Sequence, residues 1–191
     1  MNRLLTAWIY YLRIRHPAKR AYDLDYPIAF AIVVGTMLLA WPHHVTILGP
    51  NGIVATFNGL LGILIGFYIA ALAAVATFHR PEMDEVMRGT PPTLPLPDRT
   101  EPMPLTRRLF LCLLFGHLTL AALLGFVLFA LTNALFADAA TPGGLPALPT
   151  AARIVFVYFH SLAIGHILCV TLFGVHYLAW RGLIAEKEIL D

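Results

Sequence analysis

The sequence predicts an all-α polytopic membrane protein: four transmembrane helices preceded by an N-terminal amphipathic helix at the membrane surface. Three observations lead there. Hydrophobic residues fill 59% of the 191 positions and charged residues only 13%, against about 25% charged in an ordinary soluble domain. The apolar residues gather in four long runs. The basic residues are confined to alternate connecting segments, as a chain that crosses a bilayer four times requires.

The chain forms one membrane domain, with no room for a separate soluble one. Residues 1–24 precede the first span. Leu4, Leu5, Trp8, Ile9 and Leu12 fall at helical spacing, with Arg3, Thr6, Tyr10 and Arg13 opposite. A basic, aromatic-bearing helix of this kind lies in the headgroup plane. Trp8, Arg13, Arg15, Lys19 and Arg20 are its membrane-surface residues, and membrane lipid is the first partner expected.

The first span is expected over 26–48, with Pro27 in the first turn, where a helix tolerates it. It is read as a retained helix rather than a cleaved leader, because no small-x-small site follows it and three more spans do. The second span covers 53–79, the third 109–136 and the fourth 152–180. A spanning helix needs roughly 20 apolar residues, so the last three have length to spare for tilt.

Orientation follows from Lys and Arg. Arg3, Arg13, Arg15, Lys19 and Arg20 precede span one; Arg80, Arg88, Arg99, Arg107 and Arg108 separate spans two and three; Arg181 and Lys187 follow span four in the tail, 181–191. These are 12 of the 13 basic residues, the other being Arg153. The positive-inside rule puts both termini and the 80–108 loop in the cytoplasm of a bacterial inner membrane.

The 80–108 loop holds seven prolines, at 81, 91, 92, 95, 97, 102 and 104. It is expected to be extended and polyproline-like. A short acidic helical turn fits Pro81 to Met87, Gly89 would stop it, and Thr106 would cap span three. Loops longer than roughly 12–15 residues are uncommon without a purpose. The reading is therefore either a stiff linker or a docking site for a cytoplasmic protein, carried by Glu82, Asp84, Glu85, Arg88, Pro91, Pro92, Asp98 and Arg99. The outer segments, 42–52 and 137–151, are short and almost uncharged. His43 and His44 could ligate a metal only with help from elsewhere.

Within the bilayer, Gly59, Gly62, Gly66, Ala70 and Ala73 line one face of span two, with Gly62 and Gly66 forming GxxxG. Small residues let helix backbones approach closely in lipid. Gly116, Ala121, Ala122 and Gly125 in span three, and Ser161 and Gly165 in span four, offer similar surfaces. Four helices enclose little interior, so a homo-oligomer is expected. Apart from Arg153 at the very edge of span four, the spans contain no Asp, Glu, Lys or Arg, which weighs against ion-coupled transport. Their polar groups are Asn58, Asn133 and the histidines. Asn58 suits an interhelical hydrogen bond, or a ring lining an axis between subunits.

His117, His166 and His176, with His79 and His160, raise the question of bis-histidine haem. Measured from Arg108 and Arg181, however, His117 and His166 or His176 miss one another in depth by roughly 6–9 Å. Neutral hydrogen-bonded histidines are expected instead, with no cofactor or metal. Cys112 and Cys169 differ in depth by about 12 Å, which disfavours a disulfide. The motifs of phosphate-binding loops, serine hydrolases and zinc proteases are absent, so no enzyme is expected, and no direct nucleic-acid binding.

The block Gly66-Phe67-Tyr68-Ile69-Ala70-Ala71-Leu72-Ala73-Ala74-Val75 runs into Met83-Asp84 and Thr90-Pro91-Pro92 as one unit. In that, in size, in four spans with both ends inside and in a cytoplasmic segment able to hold a partner, the chain resembles the small inner-membrane subunits of bacterial antiphage systems, of the Kiwa membrane subunit type. The resemblance implies a component that senses infection at the envelope, oligomerises and tethers a cytoplasmic effector. It assigns no role to any single residue. A scaffold or sensor docking a cytoplasmic protein is the leading expectation. A homo-oligomeric pore and a haem-binding redox protein are the alternatives.

Overall fold

A computed structural model describes residues 5–40, 46–77, 81–87, 89–97, 99–136 and 149–190, with side chains up to residue 178. His43, His44, His79, Arg88 and Asp98 lie outside the described residues. Helix α1 covers Thr6–Arg13, α2 Tyr26–Ala40, α3 Ile53–Thr77, α4 Pro81–Asp84, α5 Arg107–Phe136 and α6 Thr150–Leu190. A π-helical turn, Ala21–Asp25, leads directly into α2. Two short strands, β1 Thr93–Leu94 and β2 Met103–Pro104, pair antiparallel with Thr93 opposite Pro104. Four helical stretches are long and apolar enough to cross a membrane: Ala21–Ala40, Ile53–Thr77, Arg107–Phe136 and Thr150–Leu178.

The spans pack as two pairs, α2 on α6 and α3 on α5, joined where α5 meets α6. The second span therefore packs on the third, and the first on the fourth. Helix α5, 30 residues and about 45 Å long, is the hub, because α1, α3, α4 and α6 all touch it. On α3 the buried residues are Val54, Leu61, Tyr68 and Val75. A strict seven-residue repeat places them on one seam, as in a coiled coil. The Tyr68 hydroxyl also hydrogen-bonds that of Thr171, which ties α3 to α6.

Glycines set the close approaches. A Cβ on Gly35 would meet the ring of Tyr158 at 2.7 Å, and one on Gly165 would meet the ring of Phe30 at 2.8 Å. Helices α2 and α6 thus each seat an aromatic ring in the other's glycine notch. Gly174 receives Leu114 in the same way, and Gly125 receives Leu61 and Ile167. Gly125 and Gly165 are positions where sequence expected packing. The span-two stripe behaves differently. Gly59, Gly62, Gly66, Ala70 and Ala73 are all exposed, and a Cβ on Gly59 or Gly66 would meet nothing within 4 Å. Gly62 borders α5, where a Cβ would meet the Phe126 ring at 3.8 Å, but the heptad seam turns most of the face away from α5.

At the end opposite α1, the chain does not continue helically to Leu48. Residues 46–52 make a turn that buries Ile47 and Leu48. Gly49 has φ +97°, and its N–H donates to Asn133 Oδ1 at 2.8 Å. Asn133, expected to bond a neighbouring helix, instead holds the turn between α2 and α3. Asn58 is half-buried, and its Oδ1 has no partner among the described residues.

The proline-rich loop departs from the extended form expected for it. Thr93 N–H and C=O bond to Arg15, Leu105 N–H donates to the carbonyl of Pro92, and Leu94 and Leu105 are buried. It folds back on itself because β1 pairs with β2, and Arg15 adds a bridge to β1 from the N-terminal segment. Arg107 is buried and donates to the carbonyl of Glu82 at 2.9 Å. Arg108 grips the Asp84 carboxylate through two nitrogens, at 2.6 and 3.1 Å, and the Val75 carbonyl at 2.9 Å. Thr106 caps α5 as expected, accepting from Leu109 N–H at 3.3 Å.

The notches predict a contrast. Gly165→Val should destabilise the fold by about 1–3 kcal/mol, the usual cost of overpacking, whereas Gly66→Ala should be neutral or slightly stabilising. Thermal unfolding in one detergent measures both. Equal losses would refute the assignment of the two glycine faces.

Candidate functional site

The feature that organises the polar chemistry is Pro27. It lies seven residues inside a continuous helical stretch that starts at Ala21, not in the first turn. Proline has no N–H to give to the carbonyl four residues back, and its ring crowds that carbonyl. The residue four back is Asp23. The chain answers with the π-helical turn, in which Tyr26 N–H reaches the Ala21 carbonyl five residues back. The Asp23 carbonyl takes its donor from elsewhere: His166 Nδ1 on α6, at 3.1 Å.

From His166 the network closes into a ring. His166 Nε2 meets His117 Nε2 on α5 at 3.0 Å. The His117 ring stacks on Tyr11 of α1, centroids 4.1 Å apart and planes within 18°, with Trp8 tilted against it at 4.7 Å. The Tyr11 hydroxyl donates to Asp23 Oδ1 at 2.7 Å, and Lys19 pairs with Asp23 Oδ2. Lys19 also sits 4.6 Å over the Tyr11 ring. The circuit joins α1, the π turn, α5 and α6.

Hydrogen-bond logic assigns the protons of the neutral rings. His166 Nδ1 faces a carbonyl, so it is the donor. Its Nε2 is then an acceptor, and His117 Nε2–H donates to it. His117 Nδ1 is left with a buried lone pair and no partner. Donation of the outer ring N–H to a backbone carbonyl is also how ligating histidines are oriented in metal sites. Among the described residues, however, no group of three His, Cys, Asp or Glu gathers to hold a metal ion. Haem iron would have to lie between two Nε2 atoms that are in direct contact, with Tyr11 and Trp8 closed over His117. The residues as arranged do not fit that group.

The depth argument that kept His117 and His166 apart is therefore overturned. It took Arg108 and Arg181 as markers of one plane. Helix α6 runs on to Leu190, so Arg181 marks no boundary, and Phe110 packs beside Phe173 and Tyr177. Lys19 is corrected as well. Expected at the lipid surface, its side chain is 11% exposed and that of Asp23 12%, because the pair sits under α1. Asp23 thus falls within the first candidate span, which the sequence reading had drawn free of charge.

The remaining polar residues lie elsewhere. His176 is exposed on α6. His160 is buried, bonded to the Phe156 carbonyl at 2.8 Å and stacked near Phe129. Cys112 and Cys169 are both free thiols. Of the docking candidates, Asp84 is held by Arg108, and Glu85 lies 3.8 Å from Arg107. Pro92 is buried, Pro91 half-buried, and Glu82 and Arg99 are exposed. Of the surface candidates, Arg13, Arg15 and Arg20 are exposed. Tyr11 and Asp23 were missed by sequence reasoning. The available signal was Pro27 itself, which orphans one nameable carbonyl once the helix is known to begin before it. No family model, curated protein or solved structure matches the chain.

Burial pushes the Tyr11 hydroxyl far above its ordinary pKa of 10.0, and the neighbouring Asp23 charge adds to this. Ionisation is favoured in the unfolded chain, so this contribution to stability is full below about pH 10 and is lost as pH rises above it. Tyr11→Phe should keep the stack and cost about 1.5–3 kcal/mol, typical of a hydrogen bond to a charged group. It should also flatten the loss of stability above pH 10. Asp23→Ala strands Lys19 and should cost more, about 3–5 kcal/mol. Unfolding midpoints against pH, with Arg13→Gln as the surface control, decide this. A Tyr11→Phe midpoint equal to the control at neutral pH would disprove the ring.

Proposed function

We propose that the chain is a homo-oligomeric scaffold or sensor of the bacterial inner membrane that docks a cytoplasmic protein on its 80–108 loop. One observation carries this reading: the loop is mounted, not strung. Arg107, Arg108, the Arg15–Thr93 pairing and the buried Leu94 and Leu105 fix it to the membrane domain at separate points. A linker needs no such mount. A surface that must be recognised gains from one, because less order is lost on binding. The mount leaves Glu82, Arg99 and the side chain of Glu85, 54% exposed, at the surface.

The side of the membrane is read from the sequence, in which 12 of the 13 basic residues lie in 1–24, 80–108 and 181–191. Oligomerisation is supported by the exposed stripe Gly59, Gly62, Gly66, Ala70 and Ala73, which suits close helix contact in lipid. Service in antiphage defence rests on the architectural resemblance to Kiwa-type subunits.

A photo-crosslinking residue at Glu82 or Arg99, expressed in the native host, should give a discrete adduct with one soluble protein. The same residue at Pro50, on the opposite end, should not. Replacing residues 88–104 with a flexible linker of equal length should abolish the adduct while membrane insertion persists. Adducts of equal yield from both ends, or none from the loop, would sink the docking reading.

A further inference from the structure

Between the segment that follows α1 and strand β1 lies an open groove of about 720 Å³. Its polar lining comes from Arg15, His16, Lys19, Arg20, Asp23 and Thr90. We propose that this groove binds the phosphate of an anionic phospholipid headgroup, with an acyl chain running along α2. The proposal is independent of the docking reading and of which membrane face the groove occupies.

Charge is the first support. The one carboxylate in the lining, Asp23, is already engaged by Lys19 and Tyr11. Arg15 has no carboxylate partner among the described residues. Arg20 meets Asp25 at 3.5 Å with both side chains more than half exposed, a pair that contributes little in water. Arg15 and Arg20 thus line the groove with no carboxylate holding either firmly, and guanidinium geometry suits phosphate oxygens.

Preorganisation is the second. Arg15 is pinned through both backbone groups, accepting from Thr93 N–H at 3.0 Å and donating to the Thr93 carbonyl at 2.8 Å. His16 Nδ1 accepts from Ala18 N–H at 3.2 Å. The neutral ring then carries its proton on Nε2 and is a further donor.

Position selects a lipid over a soluble phosphate. The groove sits where α1 gives way to the first span, the level at which headgroups lie. From its rim, Leu24, Ile28 and Ile32 descend α2 at four-residue spacing, 48%, 39% and 55% exposed. That ladder, part of the exposed apolar surface of α2, leads from the basic groove into the candidate span, as an acyl chain would from its headgroup. A soluble phosphate has no use for it.

The test uses the full chain in nanodiscs of phosphatidylcholine with and without phosphatidylglycerol, with bound lipid counted by native mass spectrometry after mild extraction. Wild type should retain phosphatidylglycerol preferentially. Arg15→Gln/Arg20→Gln should weaken that retention about tenfold or more, and Arg13→Gln, outside the groove, should not. The double variant's unfolding midpoint in detergent should match wild type, since neither side chain supports the buried ring. Loss of equal size in Arg13→Gln would reduce the effect to general surface charge and overturn the site. Displacement of the lipid by millimolar inorganic phosphate would overturn the lipid assignment in favour of a soluble phosphate ligand.

Discussion

Pro27 cannot satisfy the Asp23 carbonyl, and in a low-dielectric setting an unsatisfied carbonyl costs several kcal/mol. Most of what is particular to this fold follows from how that one group is served. The π turn relieves the proline ring, His166 supplies the donor, and His117 is then needed to complete His166. Tyr11 covers His117 and, in doing so, brings its hydroxyl to the Asp23 side chain. A single backbone defect near the start of the first span thereby recruits a surface helix and two later spans. The residues involved are ordinary. Their arrangement is dictated by the need of each to find a partner away from water.

Packing elsewhere follows the rules of a solvent as apolar as the protein. Burial of leucine drives nothing when lipid is the alternative, so close contact between backbones carries the association. The α2–α6 pair shows this directly, with Phe30 and Tyr158 set into Gly165 and Gly35. The Tyr158 hydroxyl then reaches Thr36 at 3.0 Å, which fixes register as well as distance. The α3–α5 pair instead uses a seven-residue seam of larger side chains. The exposed side chains, including Ile63, Phe67, Leu124 and Leu135, are those a lipid-facing surface requires.

What could be read from sequence was what depends on composition and short-range pattern. Four spans, the Thr106 cap and the packing roles of Gly125 and Gly165 belong to that class. What could not be read depended on relative depth between helices. His117 and His166 seemed mismatched because two arginines were used as rulers, and a helix that overshoots its boundary makes a false ruler. The loop misled for a related reason. Seven prolines bar a long helix but do not bar a hairpin, here β1 on β2, and its anchoring depends on a residue far away in the chain, Arg15. Gly59, Gly62 and Gly66 form a small-residue pattern, but pattern alone does not say which neighbour a face is meant for. Tyr11 sits three residues after Trp8, on the edge of the apolar face of α1, but nothing local says that this edge meets a buried histidine.

The connectivity of the buried ring also bears on how the chain is made. The first span pairs with the last, and the donor for the Asp23 carbonyl lies 143 positions downstream. At ordinary translation rates of about 5–20 residues per second, that donor emerges on the order of ten seconds later. During that interval the nascent first span sits in the bilayer with an empty glycine notch and an unserved carbonyl, material for an insertase or chaperone to shelter. The ring therefore cannot close before α6 has been made. A chain interrupted before α6 would leave its opening span as a marked, incomplete substrate for membrane quality control.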